Sequence, residues 1–330
     1  MKVTQKEIDN LNLELTLEIA AADYADIERK KLAERRRNAD FKGFRKGMVP
    51  ASMIQRVYGE QCLAESVNQV ISTALDKHIS ENNLHIIGEP LSSEKQPEIE
   101  WHDGNDFTFI FDAALSPEVN VDFGKEDKVP SYNVTISDKD KASMAESLKK
   151  YYEEKKEEKT DEDINKEVGD RLQNQYKNES EWRLSKDIRD YCIEKSGIQL
   201  PVEFLKRWLL AANNGKVTRE EVEKEFDGFA NDFKWQLVRG YLMNKYGLKI
   251  EDKDINEAAH AFVTYQYAMY GIGNVPEDMV NEAVTNVLKD QKQVDRLAEQ
   301  VEEQKVISKL KEVLTIEPTE ISSEKFKEIK

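Results

Sequence analysis

The sequence predicts an α+β domain built on an antiparallel sheet, followed by an elongated, arm-like domain that is all α. Three observations predict this fold class. Apolar and polar residues alternate in parts of the N-terminal third, as in half-buried strands. Glycine and proline are scarce, at 14 and 8 of 330 residues, while 35% of residues are charged, which favours long, solvated helices. In the second half of the chain the apolar spacing is almost entirely helical.

The first domain is expected to cover residues 1–116. Leu11–Ile19 alternates strictly between apolar and polar side chains, which predicts a strand. Residues 84–90 and 107–113 predict two further strands, the last of them after a turn at His102–Asn105. Strands at both ends with helices between them indicate an α+β fold.

Two helices are predicted between these strands. Asp23 caps the first helix, which ends near Arg37. Pro50 begins the second, because proline is tolerated at the first position of a helix, and Gly59 is expected to interrupt it. The loop between the helices, residues 38–49, carries two glycines.

Residues 117–178 are predicted to be an extended, charged linker. Tyr132–Ile136 is one short extended run, and ten of the eleven residues in Glu153–Asp163 are charged, as in a solvated helix or a linker. Residues 179–330 then form the helical domain, in which Thr218–Glu221 has the pattern of a capping box.

Charge is distributed unevenly along the chain. The formal net charge is −16, yet residues 29–46 carry nine basic and two acidic side chains. An acidic protein with one compact basic patch is suited to contact a polyanion at one place and to be repelled by it elsewhere.

Several classes of protein have no support in the sequence. The N-terminus lacks the apolar core of a secretory signal, and no stretch reaches the ~18–20 apolar residues that span a bilayer. Cys62 and Cys192 form no Cys-x-x-Cys motif, and the four histidines lack metal-ligand spacing. No glycine-rich phosphate motif is present. We therefore expect a cytoplasmic protein without membrane partner, metal, cofactor or catalytic residue.

The most specific element is the segment Gly43–Pro50. Its two glycines permit the positive φ values of a tight, protruding loop. Phe44 would then be an exposed aromatic anchor beside the charges of Arg45 and Lys46, a combination that is typical of binding hot spots. The alternative is a solvated basic loop in which Phe44 folds back into the core.

The run Gly43-Phe44-Arg45-Lys46-Gly47-x-x-Pro50, followed by Tyr58-Gly59, resembles the ribosome-docking signature of bacterial trigger factor. Further similar segments follow in the family's order, namely Gly88–Pro90, Ser116–Val119, Gly197–Pro201 and Glu302–Val306. The resemblance covers about residues 1–136 and 179–316. It implies an ATP-independent chaperone that docks on a ribosomal protein, with rRNA nearby, and shields apolar segments of unfolded nascent polypeptides. Self-association away from the ribosome is a further expectation.

The resemblance also implies the residues of a ribosome-binding site. These are Arg35, Arg36, Arg37, Gly43, Phe44, Arg45, Lys46 and Gly47. The family usually carries an FKBP-like prolyl isomerase domain of about 100 residues between its two parts, a usual size for a domain. Only residues 137–178 lie between those parts here, without alternating strands or glycine-rich turns. The chain is therefore expected to lack that domain and its activity.

A set of aromatic and methionine side chains in the helical half has two interpretations. The candidates for client binding are Trp208, Trp235, Met243, Phe262, Tyr265 and Met269. They form either an ordinary helix–helix core or an exposed surface that binds apolar segments promiscuously. Two other functions stay open: a prolyl isomerase by family association, and an RNA-binding module that uses the Arg35–Arg37 run.

Overall fold

A computed structural model describes residues 1–329, which form two compact units. The first unit combines Met1–Glu118 with Gln199–Ala230, and the second combines Val119–Ile198 with the chain from Asn231 onward. These units cut across the boundary expected at residue 179. The three-part division into residues 1–116, 117–178 and 179–330 stays a prediction. None of the described helices is long and apolar enough to cross a membrane.

The elements follow one another in this order along the chain. The strands within residues 1–329 are β1 (Lys2–Glu7), β2 (Asn12–Ile19), β3 (Ile86–Ser92), β4 (Phe107–Leu115), β5 (Lys128–Thr135) and β6 (Thr315–Ser322). The helices are α1 (Ala21–Asn38), α2 (Ala51–Glu81), α3 (Asp138–Lys155), α4 (Asp161–Ser196), α5 (Val202–Ala212), α6 (Arg219–Lys245), α7 (Asp252–Met269), α8 (Glu277–Lys289), α9 (Gln291–Val313) and α10 (Ser323–Glu328).

An antiparallel sheet with the strand order β1-β2-β4-β3 forms the base of the first unit. The alternation in β2 turns Leu13, Leu15 and Leu17 to one face, where they are almost completely buried. Leu17 lies opposite Phe109 of β4, and α2 covers this face with Val67 and other apolar residues. The predicted α+β character of this region is confirmed.

The two helices within residues 1–118 begin and end close to the predicted positions. Asp23 is not the N-cap that the sequence predicts: Ala20 occupies that position, and the Asp23 carboxylate, on the third residue of α1, accepts a hydrogen bond from the Ala20 backbone N–H at 2.9 Å. Gly59 does not interrupt α2, which is continuous from Ala51 to Glu81. Gly59 is buried, and packing of the flanking turns keeps this position helical despite the low helix propensity of glycine.

The second unit is mostly helical, but it also contains a two-stranded parallel sheet. β5 pairs with β6, with Lys128 opposite Thr315 and Thr135 opposite Ser322. The helical character predicted for the second half is confirmed, and β6 is the one strand within residues 179–329 that the prediction did not include. Pro318 disfavoured a strand in the sequence, because proline donates no hydrogen bond, but each strand of a two-stranded sheet has a free edge that tolerates it.

Residues 117–178, expected to be an extended linker, are instead largely helical. α3 and the first half of α4 share a small core of Leu148, Ile164, Val168, Leu172, Tyr176 and Phe326. The spacing of four between Ile164, Val168 and Leu172 forms one helix face, which the surrounding charges conceal in the sequence. Thr160 caps α4 by accepting a hydrogen bond from the Asp163 N–H at 3.1 Å.

A carboxylate joins the C-terminal segment to these helices. Asp140 accepts hydrogen bonds from Lys327 Nζ at 2.6 Å and Tyr176 Oη at 3.1 Å, and also from Ser137 and Ser323. The bond from Lys327, followed by that from Ser323, holds the pKa of Asp140 well below its usual range. Asp140 is therefore ionised at neutral pH and anchors α10 against α3 and α4.

Candidate functional site

A second small core supports the loop between α1 and α2, here called the docking loop (residues 39–50). Ala39, Val49 and Ile54 are buried, and Leu32, Phe41 and Tyr58 pack against them. The rings of Phe41 and Tyr58 meet edge to face with centroids 6.3 Å apart. Both ends of the docking loop are thus anchored to the helices.

Two tight turns shape the docking loop between these anchors. The backbone N–H of Phe44 donates to Phe41 O at 3.0 Å, and that of Met48 donates to Arg45 O at 2.9 Å. Gly43 and Gly47 have φ values of +96° and +80°, which side chains with a Cβ rarely adopt. The glycines are needed for the backbone conformation, because no neighbouring atom would contact a Cβ at either position.

The turns place the predicted site residues on the surface. Phe44 is 40% exposed, so it does not fold back into the core. Arg45 and Lys46 are exposed as well. Within residues 1–329 neither side chain has an ion pair or a hydrogen bond, so their charges are available to a partner.

The three arginines at the end of α1 have different environments. Arg35 bonds the Glu65 carboxylate at 3.0 Å and lies over the Tyr58 ring, while Arg36 Nε donates to Val49 O at 2.8 Å. Partial burial raises the pKa of Glu65, but the hydrogen bond from Gln61 and the charge of Arg35 together lower it by more, so Glu65 stays ionised. Only Arg37 is exposed without such a contact among the described residues.

Three apolar residues in or near the segment Gly43–Pro50 are also exposed, although the sequence motif does not identify them as site residues. Met48, Met53 and Val57 are 68%, 37% and 56% exposed. Together with Phe44 they are here called the apolar ridge. Met53 and Val57 are four residues apart on the outer face of α2, whereas Ile54 points inward. The spacing was present in the sequence, but only the buried face of α2 reveals which side is outward.

The candidate client-binding residues divide into buried and exposed groups. Trp235 and Met243 are 3% and 9% exposed. The half-buried ring of Trp208 lies so close to Gly88 that a Cβ there would overlap it. Phe262 packs against the core that contains Val263. Trp235 and Met243 thus lie in the interior, Phe262 lies against a core, and Trp208 packs against β3.

Tyr265 and Met269, in contrast, face solvent with 64% and 70% exposure. Exposed apolar side chains continue beyond them at Tyr270, Ile272 and Met279. These five residues lie within residues 265–279, here called the apolar turn, where α7 ends and α8 begins. Gly271, with φ +75°, turns the chain there. Sequence periodicity grouped Phe262 with Tyr265, although one packs inward and the other outward.

The second unit also contains an apolar pocket of about 390 Å³. It is lined by Asn178, Glu179, Trp182, Arg183, Phe326 and Ile329. Trp182 is 61% exposed, and Lys186 Nζ lies 5.6 Å from its ring centroid. The pocket adds a second exposed apolar feature to this unit.

Features typical of enzymes are weak in the described part of the chain. Residues 1–329 contain no group of three His, Cys, Asp or Glu side chains that could hold a metal ion. Both cysteines are buried, and burial raises the pKa of the Cys192 thiol to about 12. Such a thiol is protonated at neutral pH and is a poor nucleophile.

Two family models match the chain. Residues 1–148 match the model described as bacterial trigger factor protein, and residues 180–329 match the one described as the C-terminal domain of probable trigger factor. Residues 149–179 lie between the matched regions and contain the end of α3 and the first half of α4. No separate domain is inserted there in the described structure.

Individual relatives agree with these matches. Trigger factor of Francisella tularensis subsp. novicida (strain U112) is 26% identical over 152 residues, or 46% of this chain and 34% of the relative. Trigger factor of Saccharophagus degradans (strain 2-40) is 29% identical over 150 residues, or 46% and 33%. Trigger factor of Acetivibrio thermocellus is 30% identical over 141 residues, or 42% and 32%. The chain thus spans about a third of the length of these curated relatives.

The fold is similar to a solved structure as well. A structure from work on promiscuous substrate recognition in folding and assembly by the trigger factor chaperone aligns with a TM-score of 0.56 and 13% identity. The alignment covers 94% of this chain and 99% of that one. Family models match both the N-terminal and the C-terminal region, with a shared fold across most of the length. The chain therefore belongs to the trigger factor family.

Proposed function

We propose that this protein is an ATP-independent, ribosome-associated chaperone. The docking loop binds a ribosomal protein beside the nascent-chain exit, with rRNA nearby, and the second unit shields apolar segments of newly made polypeptides. The observation that carries this proposal is the exposed Phe44-Arg45-Lys46 tip, which two glycine turns hold above a small core. The protein would act in the cytoplasm, and self-association away from the ribosome would cover its apolar surfaces.

Docking would combine shape with charge. Phe44 inserts as an aromatic anchor, while Arg45 and Lys46 approach acidic groups or phosphates without first breaking an internal ion pair. The loop is supported on both sides, so little conformational freedom is lost when it binds. The acidic remainder of the chain repels rRNA, and the contact is therefore confined to the basic patch.

Client binding would use weak contacts at several places. The apolar turn and the Trp182 pocket offer exposed aromatic and methionine side chains, which adapt to many apolar sequences. Each buried side chain contributes ~1.5–3 kcal/mol before entropy costs are subtracted. Several contacts are therefore needed, and the client is released when its own folding buries the same residues.

We also propose that the protein is not an enzyme. Residues 149–179, where an inserted isomerase domain would lie, form helices that continue the second unit. RNA binding through the Arg35–Arg37 run is less favoured, because Arg35 and Arg36 already bond Glu65 and Val49. The docking loop therefore explains the basic patch better than a free RNA-binding helix does.

Cosedimentation with intact ribosomes tests the docking proposal. Phe44→Ala/Arg45→Ala/Lys46→Ala should lose binding, while its melting temperature stays close to that of the wild type. Wild-type binding should weaken steeply with salt, because phosphate contacts release counterions. The matched control is Tyr151→Ala/Lys155→Ala/Lys156→Ala, which removes one exposed aromatic and two cations from the second unit. Equal ribosome binding by the two triple variants would contradict the proposal.

A further inference from the structure

The apolar ridge has no role within the fold that would explain its exposure. The inward face of α2 is occupied by Ile54 and Cys62, which are 2% and 0% exposed, and the small core beneath the docking loop is complete without the ridge. Met53 and Val57 therefore point away from every packed surface of the helix pair. Exposed side chains of this size carry a solubility cost when they lie together.

Exposed apolar residues are concentrated at this place in the first unit. Among its described residues, the large apolar side chains with substantial exposure are Met1, Ile8, Phe44, Met48, Met53, Val57 and Val202. Four of these seven belong to the apolar ridge, within 14 consecutive positions. A concentration of this kind marks an interaction surface, whereas single exposed residues do not.

Four basic side chains beside the ridge are unpaired. Lys42, Arg45, Lys46 and Arg56 are exposed, and none forms an ion pair within residues 1–329. This charge complements a partner surface that carries carboxylates or phosphates around its contact region.

The aliphatic members of the ridge distinguish between a protein, which offers carboxylates, and RNA, which offers phosphates. RNA offers phosphates to cations and base faces to aromatic or guanidinium groups, so it could use Phe44 and Arg45. It offers little to Met48, Met53 and Val57, whose flexible or branched aliphatic groups pack against apolar side chains. Three of the four ridge residues thus favour a protein surface.

We propose that the apolar ridge extends the docking site from the loop onto the first two turns of α2, and that it binds a ribosomal protein. The partner surface would be an apolar groove bordered by carboxylates. Phe44 and Met48 would enter the groove from the loop, and Met53 and Val57 would cover it from the helix. This inference rests on the proposed ribosome docking and adds the chemical class of the contacted surface.

The double variant Met53→Gln/Val57→Gln tests the inference in the full chain. Glutamine is a good helix former, so α2 should persist, and far-UV circular dichroism and thermal melting verify this. Affinity for salt-washed ribosomes should fall by at least about tenfold, because the loss of even one hot-spot side chain usually costs that much. The slope of affinity against salt should stay unchanged, because no charge has been altered.

Three comparison variants complete the experiment. Met53→Leu/Val57→Ile keeps the apolar area and should retain wild-type affinity within about twofold. Ile8→Gln removes an equally exposed apolar side chain elsewhere in the first unit and should also bind normally. Arg45→Gln/Lys46→Gln keeps Phe44 but should weaken binding and make the affinity less dependent on salt, because two cations no longer pair with the partner's carboxylates.

The outcomes separate this inference from the function on which it rests. Wild-type affinity in Met53→Gln/Val57→Gln would refute the proposed role of the apolar ridge. Loss of binding by the Phe44/Arg45/Lys46 triple variant would still support ribosome docking. Wild-type affinity in that triple variant would instead refute ribosome docking. Equal affinity of the wild type for protein-free rRNA and for intact ribosomes would also overturn the ridge, because its partner would then be RNA.

Discussion

The docking loop and the apolar turn both expose aromatic and methionine side chains, but their surroundings differ. The loop has its own buried support and overlaps residues 29–46, which include nine basic and two acidic side chains. Around the apolar turn, by contrast, no Lys or Arg occurs between residues 254 and 288, while Glu277, Asp278 and Glu282 are acidic. The two regions thus expose similar apolar side chains, but the docking loop is basic and the apolar turn is acidic.

Under the proposed function, this difference would keep the two kinds of partner apart. A supported loop with fixed turns and unpaired cations would select one complementary surface on a polyanionic particle. An acidic region with Tyr and Met side chains would be repelled by rRNA and would adapt to many apolar segments. In this proposal charge determines which partner binds, and local support determines how selective the contact is.

The largest expected effect separates buried from exposed apolar residues in the second unit. Trp235→Ala should lower the free energy of unfolding by about 3–5 kcal/mol, as is usual for large-to-small core changes. Met269→Ala should change it by less than about 0.5 kcal/mol, because that side chain is exposed. Chemical denaturation of both variants measures the two values. Equal destabilisation would show that Met269 is part of a core.

The second prediction tests whether ribosome binding and client binding depend on different regions of the chain. Tyr265→Ser/Met269→Ser/Tyr270→Ser should reduce suppression of client aggregation several-fold and leave ribosome affinity unchanged. The Phe44/Arg45/Lys46 alanine variant should do the reverse, with a loss of ribosome affinity of at least about 100-fold, or ~2.7 kcal/mol. Light scattering of a denatured client and ribosome cosedimentation provide the two readouts. If either variant impaired both activities, the contrast between the two regions would fail.

A third prediction concerns the stability of the second unit and changes none of its exposed apolar residues. Asp140→Asn should destabilise the protein by about 1.5–3 kcal/mol at pH 7, because it weakens hydrogen bonds to a charged group. Ribosome affinity should not change.

The pH dependence of this effect has a definite sign. The pKa of Asp140 is lower in the folded protein, chiefly through the bonds from Lys327 and Ser323. Its stabilising contribution is therefore complete above the unfolded-state pKa of about 3.9 and is lost as the pH falls below it. The stability difference between wild type and variant, measured by urea denaturation, should shrink below about pH 4. A constant difference down to pH 2 would contradict this assignment.

A smaller effect tests whether the support of the docking loop matters for selectivity. Gly47→Ala forces a Cβ into φ +80°, which costs about 1–2 kcal/mol of strain although no neighbouring atom is contacted. Ribosome affinity should fall by about tenfold as the loop relaxes away from its bound shape. The control is Gly240→Ala, a helical glycine of α6 with open space around its Cβ, which should bind normally. Equal affinity of both variants for ribosomes would show that the turn geometry is dispensable.

The last prediction is that the protein has no prolyl isomerase activity. The protein should not accelerate prolyl isomerisation above the uncatalysed rate, whose time constants are about tens to hundreds of seconds at 25 °C. A protease-coupled assay on a short proline peptide measures this rate. Clear acceleration would reveal an isomerase site in one of the two units.

Local patterns in the sequence predicted the fold of the first unit well. The alternation of Leu13, Leu15 and Leu17 specifies a face of a strand, and the glycines at 43 and 47 specify turns. Each of these signals lies within a few residues. The sequence could not predict β6, whose partner β5 lies about 187 positions away, nor the helices concealed in the charged segment. It also could not separate Phe262 from Tyr265, because their burial depends on which neighbouring helices are present.

The parallel pairing of β5 with β6 has a consequence for how this protein is made. β6 and α10 are synthesised about 187 residues after β5 and Asp140, which need them as partners. The second unit therefore cannot complete its fold until that stretch of chain has been made, and pairing across so long a loop is a slow step. Until then Tyr132, Tyr176 and the other apolar residues that later cover Phe326 remain unburied. A newly made copy of this chain thus presents the kind of surface that mature copies would shield.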